Sequence, residues 1–565
     1  MECGVRLIMT NAHWTRKAFC NRWRRLFVAA SSGVMFGLST PGFGLPLLGL
    51  VALVPLLILN EEILSIPQKR RKSFFKILGY SFVAGSISAV IGGYCITNSA
   101  HVYGHLPLPL AVLVTAFGYG LEVGLIFFFY FGCLLPFLPK HSWADLPVRI
   151  LWILVLEPHY PRLFEWSLGG LAYYKVSYIE QFADIIGSSG LSSLSVGCNL
   201  TFVLAWRCIK QQNHKWFSVK FATLLLITVH LLAGFYGRWR AVDLRDFNSE
   251  AQIEVISLQP NFSLAQLASN PDLAFSERTR NIESLLGDSR RALAATHQKD
   301  LDLQRILVWP ESTFPAPIFK DASAKKLVSN FAKEEQVHIL LSTVDWEMQS
   351  DGSYRLFGIS ILVNSDGEIA GRYNKIFLIP FGESIPGSAW FPSWATWLRE
   401  MIPNISEFEA GQEFTVMPIG DAKISAPICF DGFSPEIIQR MVINGANLIV
   451  LSGNLAWFGN SNASDYLEMI TRWRSLENRV PVVFATNSGH SLYWDATGQV
   501  LTKRMELFED GHLSAVISLA TYNSWYRDKS GGLILFYSML NLLALRYLIR
   551  HREIKTISPD DASGL

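Results

Sequence analysis

Three residues of this 565-residue chain, Glu311, Lys375 and Cys429, each stand where an apolar, strand-like run stops at a reactive group. Val308-Trp309-Pro310-Glu311-Ser312 stops at a carboxylate, and its proline ends the ladder and stiffens the turn. Gly371-Arg372-Tyr373-Asn374-Lys375 stops at an ammonium group flanked by aromatic and aliphatic neighbours. Ala422–Ile428 stops at Cys429, and Phe430-Asp431-Gly432-Phe433 follows as a turn. Together they hold the three groups that acyl transfer requires. A carboxylate accepts a thiol proton if burial raises its pKa toward neutrality. The thiolate attacks a carbonyl and is acylated. An ammonium group and the backbone N–H after the nucleophile stabilise the oxyanion. Each residue also has a plainer reading: a small buried hydrophobe for Cys429, a solvated loop carboxylate for Glu311, and an exposed lysine with a snorkelling stem for Lys375.

Cys429 is the only cysteine after Asp243; the other six (Cys3, Cys20, Cys95, Cys133, Cys198 and Cys208) lie in the first 208 residues. The odd count and scattered positions argue against a disulfide framework. The closest histidine to the three motifs is His338, distant in sequence, which makes a Cys–His pair the weaker arrangement.

The segment that must position these groups is an α/β layered domain. Strand-length apolar runs recur at Ile253–Leu258, Ile306–Trp309, Val337–Thr343, Leu356–Val363, Lys423–Ile428, Asn447–Leu451, Val480–Phe484 and Leu513–Ile517. Helix-length segments at Ser276–Gln298, Ala322–Glu335, Pro435–Asn444 and Ser464–Arg479 alternate with several of them. Asp366-Gly367 and Thr497-Gly498 read as tight hairpin turns, so part of the sheet is antiparallel.

The rest of the chain is of another kind. Half of all residues are hydrophobic and only 17% are charged, too apolar for a soluble protein alone. A net charge of +2 gives no footprint for nucleic acid. The spacing predicts about seven membrane helices across 26–240: Leu26–Ser39, Leu45–Asn60, Ile77–Thr97, Pro109–Leu138, a short one in the 150s, Ile185–Trp206 and Phe217–Phe235. An eighth, Gly531–Leu548, lies within 526–550. Lys/Arg clusters at Arg16–Arg25, Lys69–Lys72, Lys140–Arg149, Arg207–Lys220 and Arg546–Lys555 predict cytoplasmic ends at 1–25 and 551–565, with the 241–525 domain on the opposite side. Neither a glycine-rich phosphate loop nor a metal-ligand cluster is legible, so no cofactor and no metal are expected. Glu122, Glu157 and Glu165 fall among the apolar helices and are candidates for function or for helix packing.

Trp-Pro-Glu at 309–311, Arg-Tyr-Asn-Lys at 372–375, Pro-Phe-Gly-Glu at 380–383 and Ile-Cys at 428–429, in this order, resemble the nitrilase superfamily of carbon–nitrogen hydrolases. With membrane spans on both sides, the chain looks like the apolipoprotein N-acyltransferase family. Asn454-Leu455-Ala456-Trp457-Phe458-Gly459, Arg472–Glu477 and Thr486–Gly489 match further family segments. The resemblance implies an αββα sandwich, with Glu311 as general base, Lys375 as oxyanion stabiliser and Cys429 as acylated nucleophile. Glu383 matches a second essential glutamate beside the lysine. It further implies a phospholipid acyl donor, a diacylglyceryl lipoprotein acceptor, and a monomer in the bacterial inner membrane with the catalytic domain facing the periplasm.

Phe430-Asp431 replaces the family's Tyr-Glu after the nucleophile, Leu455 replaces an aspartate, and Gln259-Pro260-Asn261 replaces Gln-Gly-Asp. A family tryptophan is replaced near Ala268. These departures predict altered substrate fit around an intact triad. Tyr373, Trp390, Trp394, Trp457 and Phe458 are substrate or lid candidates. The long loop Ser384–Glu413 is either a packed loop or an arm that dips into lipid. Two other readings compete: a membrane-tethered amidase with the same triad, and a non-catalytic scaffold.

Overall fold

The computed structural model describes residues 2–102, 104–133, 135, 145–159, 170–211, 216–245, 251–263, 271–296, 303–314, 318–388, 390–401, 407–519, 521–529, 532, 536–543 and 546. Two sheets form the α/β half. The first contains β1 (Gln252–Gln259), β2 (Gln304–Trp309), β3 (His338–Met348), β4 (Tyr354–Val363) and β5 (Ile369–Asn374). The second contains β6 (Met417–Ile419), β7 (Ala422–Ser425), β8 (Leu448–Gly453), β9 (Val482–Thr486) and β10 (Leu492–Trp494). A last strand, β11 (Gly511–Ser518), returns to the first sheet, giving the orders β11-β1-β2-β3-β4-β5 and β10-β9-β8-β7-β6.

The central strands are apolar on both faces because both faces are covered. Ile306 and Val308 of β2 face the second sheet and pack with Ile424, Leu448, Val450 and Val483. Leu307 and Trp309 of the same strand face outward against the helices Pro271–Ala295 and Ala322–Glu335. On the far side Ile449, Leu451, Val482 and Phe484 pack with the helices Pro435–Ile443 and Ala463–Asn478. The result is the expected four-layer αββα sandwich. Both expected hairpin turns form, with Gly367 at φ +72° and Gly498 at φ +71°. Strand β5 is the one expected to end before Lys375, whereas β6 and β10 are additions to the sequence reading; they have three residues each, too short for a periodic signal.

Strand direction brings the reactive groups together. β1, β2 and β3 are mutually parallel, as are β7, β8 and β9. Two antiparallel steps, β3–β4 and β4–β5, turn β5 back to the direction of β3. The carboxyl ends of β2, β5, β7 and β8 therefore open toward one rim, the usual place for a site in layered α/β folds.

Five helices among the described residues are long and apolar enough to cross a membrane: Pro46–Ser65, Arg70–Gly92, Leu108–Phe131, Glu180–Lys210 and Trp216–Leu244. The predicted first span, except its last residue Ser39, lies inside the helix Glu2–Leu38. The 150s segment is the 15-residue helix Asp145–His159, shorter than a span needs. The run expected over Ile77–Thr97 breaks at Gly93, between helices Arg70–Gly92 and Tyr94–Val102. Within Gly531–Leu548, residues 532, 536–543 and 546 are described and helical, whereas Glu165 lies outside the described residues. Glu122 and Glu157 are both buried, and Ser192 Oγ donates to Glu157 at 2.9 Å.

The apolar helices and the sandwich share one seam, centred on the helix Ala463–Asn478, nearly all of whose side chains are buried. Arg479, fully buried, donates to Asp184 (2.8 Å), to the Gln181 side chain (2.6 Å) and to the Gln181 carbonyl (2.9 Å). Arg472 pairs with Glu180 at 2.6 Å. Asn462 donates to the carbonyls of Gly92 (2.7 Å) and Pro41 (3.2 Å), and Asn98 to that of Phe458 (2.7 Å). The helix through Ser188 is interrupted at Gly187 (φ 69°, ψ 174°), where a Cβ would strike Tyr526. The freed Ser188 N–H meets Glu477 at 2.8 Å, a carboxylate where a helix start favours negative charge.

Candidate active site

Glu311, Lys375 and Cys429 meet at the shared rim. Lys375 is 1% exposed, so the snorkelling alternative does not hold. Its Nζ lies 3.2 Å from Glu311 Oε1 and 2.7 Å from Glu383 Oε1. The second Glu311 oxygen accepts the Asn454 N–H at 2.9 Å, and the second Glu383 oxygen accepts the Ile379 N–H at 2.9 Å. Both carboxylates are thus held by the lysine on one side and by backbone on the other, which fixes where they point.

Three backbone positions around this cluster lie in the left-handed region: Ser312 (φ 63°), directly after Glu311; Phe381 (φ 64°), two before Glu383; and Cys429 itself (φ 48°). Such conformations cost about 1–3 kcal/mol for residues with a Cβ and persist where the surroundings enforce them. A cysteine serving only as a core hydrophobe has no need of a tight bend. Cys429 occupies one, so its side chain is aimed.

Asp431 holds the bend in place. Its carboxylate is fully buried and accepts four donors: Ile428 N–H (2.9 Å), Phe377 N–H (2.7 Å), Ile376 N–H (3.2 Å) and Tyr373 O–H (2.8 Å). Two of these come from the segment just after Lys375 and one from the residue before Cys429. One side chain therefore ties the lysine strand to the cysteine elbow. Burial pushes Asp431 up to about 6, although the Ile428 and Phe377 N–H groups pull it down.

The electrostatics suit proton transfer in step with attack. Burial raises Glu311 above the ordinary carboxylate range, with Lys375 opposing and Glu383 reinforcing the rise. Burial alone would lower Lys375, but Glu311 and Glu383 override it and raise the group well above its usual value. Burial and the Glu311 charge raise the Cys429 thiol well above the usual range, against the pull of Lys375. At rest the sulfur keeps its proton, and a neighbouring base of raised pKa stands ready to take it.

The sequence reading missed Asn454. Its N–H holds Glu311 and works against the burial that raises the Cys429 thiol, and its side-chain oxygen accepts from Asn487 Nδ2 at 3.2 Å. The signal was available, because Gly453-Asn454 ends β8 as Trp309 and Asn374 end β2 and β5.

The aromatic candidates fall into two groups. Tyr373 is buried on Asp431, and Phe430 stacks between Phe377 (6.4 Å) and Phe458 (6.2 Å), lining the elbow. The segment expected as a loop over Ser384–Glu413 contains the helix Pro392–Met401; Pro392 starts it, and Ala395 and Leu398 bury against Ile385. Its outer side is aromatic: Trp390 is 83% exposed, and Phe391, Trp394 and Trp397 are exposed too. Trp394 and Trp397 stack at 5.2 Å, and Trp457 is also exposed. Ala389 and residues 402–406 are outside the described set.

The sequence matches known families in both halves. Residues 263–527 match the carbon-nitrogen hydrolase model, and residues 32–201 match the apolipoprotein N-acyltransferase N-terminal domain model. The chain is 27% identical to the apolipoprotein N-acyltransferase of Geobacter metallireducens, over 89% of this chain and 91% of that one. It is 26% identical to that of Bdellovibrio bacteriovorus, over 86% of each. It is 26% identical to apolipoprotein N-acyltransferase 1 of Treponema denticola, over 94% of this chain and 98% of that one.

Proposed function

The chain belongs to the apolipoprotein N-acyltransferase family, and on that premise we propose that it moves a fatty acyl group from a phospholipid to the α-amine of an N-terminal diacylglyceryl-cysteine. It is a membrane protein with an acyltransferase's domain pair. The observation that carries the reading is the buried Lys375 ammonium clasped by Glu311 and Glu383 beside an elbow cysteine.

In the first half-reaction Glu311 accepts the Sγ proton while the sulfur attacks the donor's ester carbonyl. Lys375 and the Phe430 N–H stabilise the oxyanion. Its collapse breaks the C–O bond, and Glu311 returns the proton to the departing lysophospholipid oxygen. In the second half the amine attacks the thioester, and its proton passes through Glu311 to the leaving sulfur. Glu383 keeps Lys375 charged and aimed. Phe430, Phe458 and Tyr373 wall the elbow against water, which favours the amine over hydrolysis.

The exposed Trp390, Phe391, Trp394, Trp397 and Trp457 suit an arm at headgroup depth that admits the acyl chain. The distribution of Lys and Arg supports residues 241–525 on the periplasmic side of the inner membrane. Both substrates are lipid-anchored, so lateral diffusion replaces a search in three dimensions.

The test is to incubate the detergent-purified protein with phospholipid alone and weigh it intact. A hydroxylamine-labile gain of one acyl group, absent from Cys429→Ala, is expected. Addition of a diacylated lipopeptide should then move that group to the peptide amine. Release to water in the presence of peptide would make the protein an amidase, and no adduct with any phospholipid would end the transferase reading.

A further inference from the structure

Outside the catalytic rim, one group of side chains has ligand chemistry that the mechanism does not use. Asp465 and Glu468, three apart on one face of the helix Ala463–Asn478, meet His490 from the segment after β9. One ligand atom from each lies within 4.8 Å of the other two. His490 is 5% exposed, and its Nδ1 has no hydrogen-bond partner. That nitrogen faces Glu468 Oε2 at 3.6 Å, too long for a hydrogen bond. It is close to the separation of about 3.4 Å expected for two ligands on one tetrahedral ion at about 2.1 Å from each. The other ring nitrogen, Nε2, faces Glu506 Oε2 at 3.6 Å.

We propose that Asp465, Glu468 and His490 Nδ1 form a site for a divalent cation that accepts nitrogen as well as oxygen ligands, such as Zn²⁺. Glu506 stands on the Nε2 side of the ring, and with the ion bound it closes the 3.6 Å gap to receive the Nε2–H, leaving the Nδ1 lone pair for the ion. The mixed set of one imidazole and two carboxylates favours such an ion over Ca²⁺ or Mg²⁺, which prefer oxygen alone. Arg504 Nη1 occupies Glu468 Oε2 at 3.1 Å, but it also reaches Glu506 at 3.0 Å, is partly exposed, and can yield the first oxygen while keeping the second. Glu468 Oε1 is held by the Tyr174 hydroxyl at 2.9 Å.

The location defines what the ion does. Tyr174 belongs to the apolar-helix half, and a Cβ at Gly42 would sit 3.3 Å from Asp465 Oδ2. The ion therefore sits on the seam and ties the sandwich to the membrane half; it has no part in the chemistry at Cys429.

Full-length protein in detergent, stripped with chelator, should bind one Co²⁺ per chain by elemental analysis after dialysis. Its visible spectrum should show d–d bands without a thiolate-to-cobalt charge-transfer band, which separates this site from Cys20 or Cys429. Zn²⁺ should raise the thermal unfolding midpoint of wild type. The variants His490→Gln and Asp465→Asn, compared so that one misfolding variant does not decide the matter, should lose both effects. Unchanged Co²⁺ uptake in a folded variant, or a thiolate band, would overturn the proposal. Absence of uptake by wild type would also overturn it, leaving His490 as a packing contact between Glu468 and Glu506.

Discussion

Replacing Asp431 with asparagine tests whether the elbow is positioned by one carboxylate. Its Oδ1 accepts the Ile376 and Phe377 N–H groups, and its Oδ2 accepts the Ile428 N–H and the Tyr373 hydroxyl. Asparagine best keeps its oxygen on the first pair, so its NH₂ then faces the Ile428 N–H, donor against donor. Tyr373 can rotate its hydroxyl to accept; Ile428 cannot. One buried N–H is left without a partner, at a cost of about 1–3 kcal/mol. Ile428 immediately precedes Cys429, so that cost falls on the alignment of the nucleophile. If all of it appears in the acylation barrier, the rate drops by about 5- to 150-fold.

The assay is single-turnover acylation of the protein by phospholipid, followed by intact mass, beside thermal unfolding from acid to neutral pH. Tyr373→Phe removes one donor and leaves the carboxylate three, so its loss should be the smaller. The folded protein holds the Asp431 proton to about 6 against a usual 3.8, so it binds more protons than the unfolded chain between those values. Stability from this group is accordingly greatest below about 4 and falls as pH rises through about 6, by about 3 kcal/mol. The amide of the Asp431→Asn variant has no proton to lose, so the stability gap between wild type and variant should narrow over that interval. A folded D431N acylating within about twofold of wild type would refute the argument, because the modest end of the range already predicts about fivefold.

Three further outcomes are expected. Transferase activity should rise with pH through an acid limb above the ordinary glutamate range, because Glu311 must be ionised to accept the thiol proton and burial raises its pKa. Alkylation of Cys429 should likewise stay slow until pH passes above about 8.5, the usual cysteine value; fast alkylation at neutral pH would contradict a protonated resting sulfur. The double change Trp390→Ser with Trp394→Ser should slow acylation from phospholipid by about tenfold, equivalent to about 1.4 kcal/mol of lipid contact. It should leave a soluble thioester donor unaffected, and equal loss with both donors would remove the arm from the mechanism.

Much of the catalytic rim was legible in the sequence because each member ends an apolar run. Trp309, Asn374 and Ile428 announce the groups that follow them, and strand periodicity needs only local information. Less legible was whatever depends on contact between distant segments. Asp431 was expected to support the site, but its clasp on four donors shows only once Tyr373 and Phe377 are brought to it. The helix Pro392–Met401 was hidden because its buried side is only Ala395 and Leu398, while its tryptophans point outward. Asp465 and His490 belong to different elements, so no spacing rule joins them. The bounds of the apolar helices were less legible for a similar reason. Gly93 breaks a run that composition alone reads as continuous, and the 15-residue helix Asp145–His159 is apolar without being long enough.

The buried pairs Arg479–Asp184 and Arg472–Glu180 have a consequence for substrate choice. Removing one partner of such a pair costs about 3–5 kcal/mol, so the sandwich has little freedom to tilt against the apolar helices. Cys429 is thereby kept at a set height above them. A lipid presents its ester at a depth fixed by its own anchoring, and the acceptor presents its amine in the same way. On the proposed reaction the seam would work as a ruler, admitting donors whose scissile bond lies level with the sulfur, whatever headgroup stands above it.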